Sequence, residues 1–157
     1  MERKGVKWLG MEELELFQSM LGIHKHTIDS KKRLILPSEY RSFLGTQVVI
    51  SKSTDKCIKV FSISAWKALD EKIKALPSEE LRVLRRWLYA NSKLTEIDSQ
   101  GRIAIPQHLC EYAGLEKNVV TLGAGDYAEI WSEEEYLGSD VEVTNESIRD
   151  MLSKNNL

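Results

Sequence analysis

The chain has 157 residues, 29% of them charged and 42% hydrophobic, with a net charge of −2. That is enough for one compact domain or two small ones sharing a core. No apolar run approaches the roughly 20 residues that cross a bilayer, Met1–Met20 lacks the continuous apolar stretch and cleavage site of a signal peptide, and Cys57 and Cys110 make no disulfide framework, so the expectation is a soluble, cytoplasmic protein.

Residues 1–19 read as an N-terminal extension, followed by a first unit over 20–62. His24–Ile28 has the pattern of a strand, Asp29-Ser30-Lys31-Lys32 is turn chemistry, and Arg33–Leu36 is the return strand. Pro37 brings no backbone donor and stops the ladder. A short helix over Ser38–Leu44 ends at Gly45, and Val48–Lys52 and Cys57–Phe61 supply a third and a fourth strand. Linking helices occupy 63–93. Ser64 is placed to cap the first, which runs through Leu76 with Trp66, Leu69, Ile73 and Leu76 on one face. Pro77-Ser78-Glu79-Glu80 starts the second, which runs to about Asn91 with acids in its first turn, as the helix dipole favours. A second unit over 94–137 repeats the order: strand Thr95–Ile97, turn, strand Arg102–Ile105, Pro106, helix Gln107–Ala113, then strands Val119–Leu122 and Tyr127–Trp131. Gly101 suits a positive-φ turn position; Lys32 holds that place in the first unit, whose turn is then either strained or differently shaped. Ser132-Glu133-Glu134-Glu135 reads as a capping box, and 138–157 is a polar tail that ends in a short helix or frays.

The two units are copies. Ile28-Asp29-Ser30-Lys31-Lys32-Arg33-Leu34-Ile35-Leu36-Pro37 lies over Ile97-Asp98-Ser99-Gln100-Gly101-Arg102-Ile103-Ala104-Ile105-Pro106 at an offset of 69. The match runs on through Phe43 over Tyr112, Gly45 over Gly114, Val48-Val49 over Val119-Val120 and Phe61-Ser62 over Trp131-Ser132. Chance supplies one Asp-x-x-x-Arg easily, but not this ordered series, so the chain is an internal duplication. One β-β-α-β-β unit exposes too many strand edges to stand alone. The fold class that follows is α+β, with the two units burying their apolar faces on each other in an intramolecular pseudo-two-fold barrel.

The small net charge conceals an imbalance. Met20–Leu94 holds 15 Lys and Arg against 7 Asp and Glu, a charge of +8; Thr95–Leu157 holds 4 against 13, a charge of −9. Local field governs encounter with a polyanion more than the sum does. The basic half is suited to phosphates, and the acidic half to the basic half of a neighbouring copy.

Tandem Asp-x-x-x-Arg motifs, each followed by aliphatics and Pro and separated by a helical pair, resemble the MraZ family, built from two SpoVT-AbrB-type (swapped-hairpin) units in one chain. Met20-Leu21-Gly22, Glu111-Tyr112-Ala113-Gly114-Leu115 and Glu129-Ile130-Trp131 are similar to that family too, so the likeness runs from about Met20 to Tyr136. The resemblance implies a cytoplasmic, nucleoid-associated transcriptional regulator. It implies a ring-shaped homo-oligomer that binds short direct repeats of DNA upstream of the operon for division and cell-wall synthesis. Two departures stand out: the family commonly has Gly or Asn where this chain has Lys32, and residues 1–19 have no counterpart. The alternative is an antitoxin of the same fold with a toxin-binding tail, although such antitoxins usually carry one unit per chain.

Lys31-Lys32-Arg33 on a protruding turn is the first candidate site. Cations there reach phosphates, and a guanidinium bonds guanine O6 and N7 bidentately; equally, Asp29 and Arg33 form a bracing pair beside solvated lysines. The residues alone leave both open, and the resemblance places DNA contact at the Arg of the first motif. Arg102, the counterpart in the second unit, is the weaker candidate for DNA contact, because its loop carries no further charge and lies in the acidic half. Asp29 and Asp98 are assigned to turn bracing, because a carboxylate facing phosphate repels it. Arg82, Arg85 and Arg86 share one face of the second linking helix, as a solvated face, a phosphate contact or a subunit contact. His24, His26, His108 and Cys110 have no zinc-ligand spacing, and Trp66, Trp87 and Trp131 read as packing anchors. No P-loop, GxGxxG, GxSxG or HExxH is present. The chain is expected to be no enzyme, with no cofactor, metal, membrane or small-molecule substrate.

Overall fold

The structure, a computed structural model, describes residues 19–139 and 143–157. Nearly all of the N-terminal extension, and 140–142 of the tail, lie outside the described residues. Eight strands follow the duplicated pattern: β1 Ile23–Thr27, β2 Arg33–Ile35, β3 Gln47–Lys52 and β4 Ile58–Ser62, then β5 Lys93–Glu96, β6 Arg102–Ala104, β7 Asn118–Gly123 and β8 Tyr127–Ser132. The helices are α1 Ser38–Leu44, α2 Ile63–Lys74, α3 Ser78–Trp87, α4 Gln107–Ala113, α5 Glu133–Ser139 and α6 Asn145–Lys154.

The units exchange their first strands. β1 pairs antiparallel with β7 of the second unit, Thr27 opposite Asn118, and β5 pairs with β3 of the first, Glu96 opposite Gln47. These are the same register in the two copies. Just beyond, Ile28 N donates to Lys117 O at 2.9 Å and Ile97 N to Thr46 O at 2.8 Å. The six-stranded antiparallel sheet has the order β1-β7-β8-β4-β3-β5, and β2 and β6 form a separate two-stranded ribbon. Leu34 faces Ile103 at the middle of that ribbon, and these two positions are equivalent in the repeat.

A closed barrel does not form. β1 and β5 each have one strand partner, so the sheet is open at both ends. After Thr27 and Glu96 the chain leaves the sheet through the Asp29 and Asp98 turns. The strands that follow pair only with each other, which leaves none to join the edges.

One apolar cluster joins ribbon, short helices and sheet: Leu34, Leu36 and Tyr40 from the first copy and Ile103, Ile105 and Leu109 from the second meet Val48, Ile50, Val60, Val119 and Ile130 of the sheet. Period-2 burial explains the ribbon: Leu34 and Ile103 are wholly buried, while Arg33, Ile35, Arg102 and Ala104 share the outer face.

The linking helices differ in detail from their sequence pattern. Ser62, not Ser64, caps α2, its hydroxyl accepting from Ala65 N at 3.1 Å. The second helix ends at Trp87 and finishes in a 3-10 turn over Tyr89–Asn91, where Ser92 Oγ donates to Leu88 O and Asn91 Nδ2 to Trp87 O. Ser132 accepts from Glu135 N at 3.0 Å, but Glu135 does not complete a capping box: its carboxylate pairs with Lys56 at 2.9 Å. The tail forms α6, capped reciprocally by Thr144 and Ser147.

Leu34→Ala and Ile103→Ala remove equivalent, fully buried side chains. Each is expected to cost about 2–5 kcal/mol, read as a lower urea midpoint. A loss below about 1 kcal/mol at both would contradict a core centred on the ribbon.

Candidate nucleic-acid interface

Each turn is built round one carboxylate. Asp29 Oδ1 accepts from Lys31 N and Arg33 N, both at 2.9 Å, and Oδ2 accepts from Arg33 Nε at 2.8 Å. Asp98 repeats this with Gln100 N at 2.9 Å, Arg102 N at 2.8 Å and Arg102 Nε at 2.7 Å. The main chain adds Lys32 N to Asp29 O and Gly101 N to Asp98 O. Both carboxyls are held below the ordinary aspartate range, first by the backbone N–H of Arg33 or Arg102 and then by its guanidinium, against the opposing effect of desolvation. Each aspartate therefore closes its turn through main-chain donors and also fixes the Nε edge of its arginine.

The first turn has the same shape as the second, at a strain. Lys32 has φ +60° where Gly101 has φ +78°, and the left-handed region costs a side-chain-bearing residue roughly 1–2 kcal/mol. The copies differ in what lies over the turn. Arg41, from α1 of the first unit, lies across Gly101 of the second; a Cβ there would stand 2.8 Å from its Cδ and Cζ. The repeat places Cys110 opposite Arg41 in sequence, and Lys32 is close enough to act on the Cys110 thiol, whose pKa is raised mainly by burial. A large residue thus meets glycine at one turn and a small one meets lysine at the other.

The turns are tied together. Ile105 N donates to Lys32 O and Leu36 N to Gly101 O, both at 2.9 Å, extending the ribbon to the turn carbonyls. On its outer face Arg33 lies opposite Ala104 and Arg102 opposite Ile35. That diagonal sets the two arginines about 7–8 Å apart. Lys31 is exposed, Lys32 and Arg41 are half-buried, and Ile35 is 54% exposed between the arginines. Five cations thus meet two carboxylates whose oxygens are already bonded. Arg41 is the member that sequence reading missed: it reaches the other copy's turn because β2 pairs with β6, which sets Leu36 against Gly101.

The remaining candidates lie elsewhere. Arg82 pairs with Glu79, Arg85 acts on Asp70, which bonds Tyr89 and Lys74, and Arg86 forms no ion pair among the described residues. Trp66 packs on Phe61 and Tyr89, Trp87 and Tyr112 flank the Lys52 ammonium, and Trp131 is buried against Tyr136. His26 bonds Thr121 Oγ1 at 2.6 Å and His24 packs edge-on against Tyr40, whereas His108 is exposed. Among the described residues no group of three or more His, Cys, Asp or Glu is placed to hold a metal ion, and no helix is long and apolar enough to cross a membrane.

An exchanged pair of β-β-α-β-β units presenting a cationic two-stranded ribbon defines the class. The family model of the MraZ protein, whose description adds the words antitoxin-like, matches twice, over residues 20–83 and 88–150. The chain is 43% identical over 131 residues to a protein of Caldicellulosiruptor bescii named transcriptional regulator MraZ, covering 82% of this chain and 90% of that one. It is 39% identical over 142 residues to the like-named protein of Caldanaerobacter subterraneus subsp. tengcongensis, covering 88% and 99%. With that of Leuconostoc mesenteroides it shares 39% over 128 residues, covering 80% and 90%. The chain belongs to the MraZ family.

Two predictions test the turns. Lys32→Gly relieves the left-handed strain at the expense of backbone entropy and is expected to raise stability by about 0.5–1 kcal/mol in urea unfolding; destabilisation would contradict the strained-turn account. For Asp29 and Asp98 the folded pKa lies below the unfolded value, so their stabilisation is present above 3.8 and lost as pH falls through the folded value. An Asp29→Asn, Asp98→Asn protein should therefore lose less stability than wild type between about pH 5 and pH 2. An unchanged acid slope would show that the carboxylates do not brace the turns.

Proposed function

We propose that the chain is a sequence-specific DNA-binding transcriptional regulator, acting in the cytoplasm at the nucleoid. It binds short direct repeats upstream of the division and cell-wall operon as a ring-shaped homo-oligomer. Its architecture is the swapped-hairpin type, in two units over 20–62 and 94–137 joined by linking helices, and the ribbon is its reading surface. The observation that carries this is the placement of Arg33 and Arg102 on one solvent face of the ribbon, beside Lys31 and Lys32, with both nearby carboxylates already satisfied.

A two-stranded ribbon fits the major groove, roughly 12 Å wide. Asp29 and Asp98 hold the Nε edge of each guanidinium and leave the terminal nitrogens for guanine O6 and N7. Lys31 and Lys32 take phosphates, which position the protein without reading sequence. One ribbon per chain is a small footprint, and a ring engaging repeated sites supplies the affinity through effective concentration. Arg82, Arg85 and Arg86 are assigned to subunit contact, the acidic second half of a neighbour being the complementary surface. The chemistry is binding, with no catalytic step and no cofactor.

The second reading is an antitoxin of the same fold. The exposed Ile148, Met151 and Leu152 on α6 favour it, as a face on which a toxin would seat. A toxin gene beside this one would favour that reading; division and wall genes favour the first.

Arg33→Ala is expected to weaken binding to a duplex from the gene's upstream region by about 5- to 150-fold per engaged subunit, the worth of one bidentate base contact, while leaving the thermal transition cooperative. Gel shift against salt concentration reads it. A folded Arg33→Ala protein with wild-type affinity would contradict the site.

A further inference from the structure

A groove of about 380 Å³ runs beside the ribbon, lined by His24, Lys25 and His26 of β1, by Ile35, and by Ser38 and Arg41 at α1. Its cations are Lys25 and Arg41, and no carboxylate among its described lining residues offsets them. Two nitrogens of its lining residues, His24 Nε2 and Arg41 Nε, are buried without a hydrogen-bond partner among the described residues, and leaving such groups unpaired is costly. The groove opens onto the proposed reading surface, because Ile35 belongs to both, and Arg41 continues it across the second turn at Gly101.

The duplication makes a comparison possible within one molecule. The positions equivalent to His24, His26, Ser38 and Arg41 are Lys93, Thr95, Gln107 and Cys110, and Lys25 is matched by Leu94. The same backbone on the other side of the ribbon therefore presents a single cation. The frame is symmetric, but the cationic groove is present once.

We infer that the groove of His24, Lys25, His26, Ser38 and Arg41 is a track for the phosphodiester backbone of the duplex, engaged on one side of the ribbon only. This rests on the DNA-binding reading and adds to it a direction. Backbone contacts fix register and orientation rather than sequence. A track on one side gives each chain one preferred polarity on the duplex, despite the near two-fold symmetry of its ribbon. Direct repeats, which share one polarity, are the arrangement of sites such a chain suits.

The test is a salt titration of binding to a duplex from the upstream region. Each phosphate that the protein no longer neutralises lowers the slope of log K against log salt by about 0.9. Lys25→Ala, at an exposed position on the edge strand β1, should lower it by about 0.9 per engaged subunit. The Lys25→Ala, Arg41→Gln double variant should lower it by about 1.8, with sequence preference retained. Lys93→Ala, on the opposite side, should keep the wild-type slope. If the wild type does not bind the duplex, the DNA reading fails and the track with it. If the wild type binds and Arg33→Ala weakens that binding, then a wild-type slope in folded Lys25→Ala and in the double variant refutes the track alone. A Lys93→Ala effect as large as that of Lys25→Ala refutes the one-sidedness.

Discussion

The pairing of β2 with β6 is the constraint on which the structure depends. It is three residues long on each strand, too short to persist alone, yet it joins the two copies at their centre. It survives because its inner face, Leu34 and Ile103, is wholly buried over the sheet and because the turn carbonyls of Lys32 and Gly101 extend it to the other copy's strand. The exchange of β1 and β5 follows, since each first strand must enter the sheet on the side opposite its own unit for the two turns to meet. The outer face then carries one arginine from each copy by the geometry of the pleat.

Around that symmetric centre the side chains are unequal, and the inequality has a steric basis. Arg41 lies over the second turn, where Gly101 takes a positive φ and a Cβ would have to push the guanidinium aside. At the first turn the position equivalent to Arg41 is the buried Cys110, and Lys32 adds a cation at the expense of backbone strain. These replacements leave the hydrogen-bond pattern shared by the two turns intact. A duplication lets a polar surface diverge on a symmetric scaffold, since only one copy of each position needs to change.

Most of the fold was legible because duplication tests each local reading twice. Turn chemistry, the prolines and the aliphatic trios located all eight strands and the two short helices. The open sheet was not legible: a closed barrel was expected, but β1 and β5 lie at opposite ends of the strand order and the chain leaves the sheet after Thr27 and Glu96. Helix ends were misplaced where side chains of similar type compete, Ser62 over Ser64 for one cap and Lys56 over the backbone for Glu135. At the candidate site, the repeated Asp-x-x-x-Arg spacing marked the two turns that Asp29 and Asp98 close, whereas DNA contact by the arginines was suggested only by the family resemblance. Arg41 was not legible, because its neighbour Gly101 lies 60 residues away and is brought near only by the pairing of β2 with β6. The β1 histidines were visible only as an alternating pair, with no sign of the groove they line.

The central claim is that the outer face of the ribbon meets DNA. Ile35 sits on that face between the two arginines, and Val83 lies exposed on the linking helix α3. A photo-activatable residue placed at each position in turn, with a labelled duplex from the upstream region, tests it most directly. The account predicts cross-linking to DNA from position 35 and none from position 83. Cross-linking from position 83 with none from position 35 would contradict it.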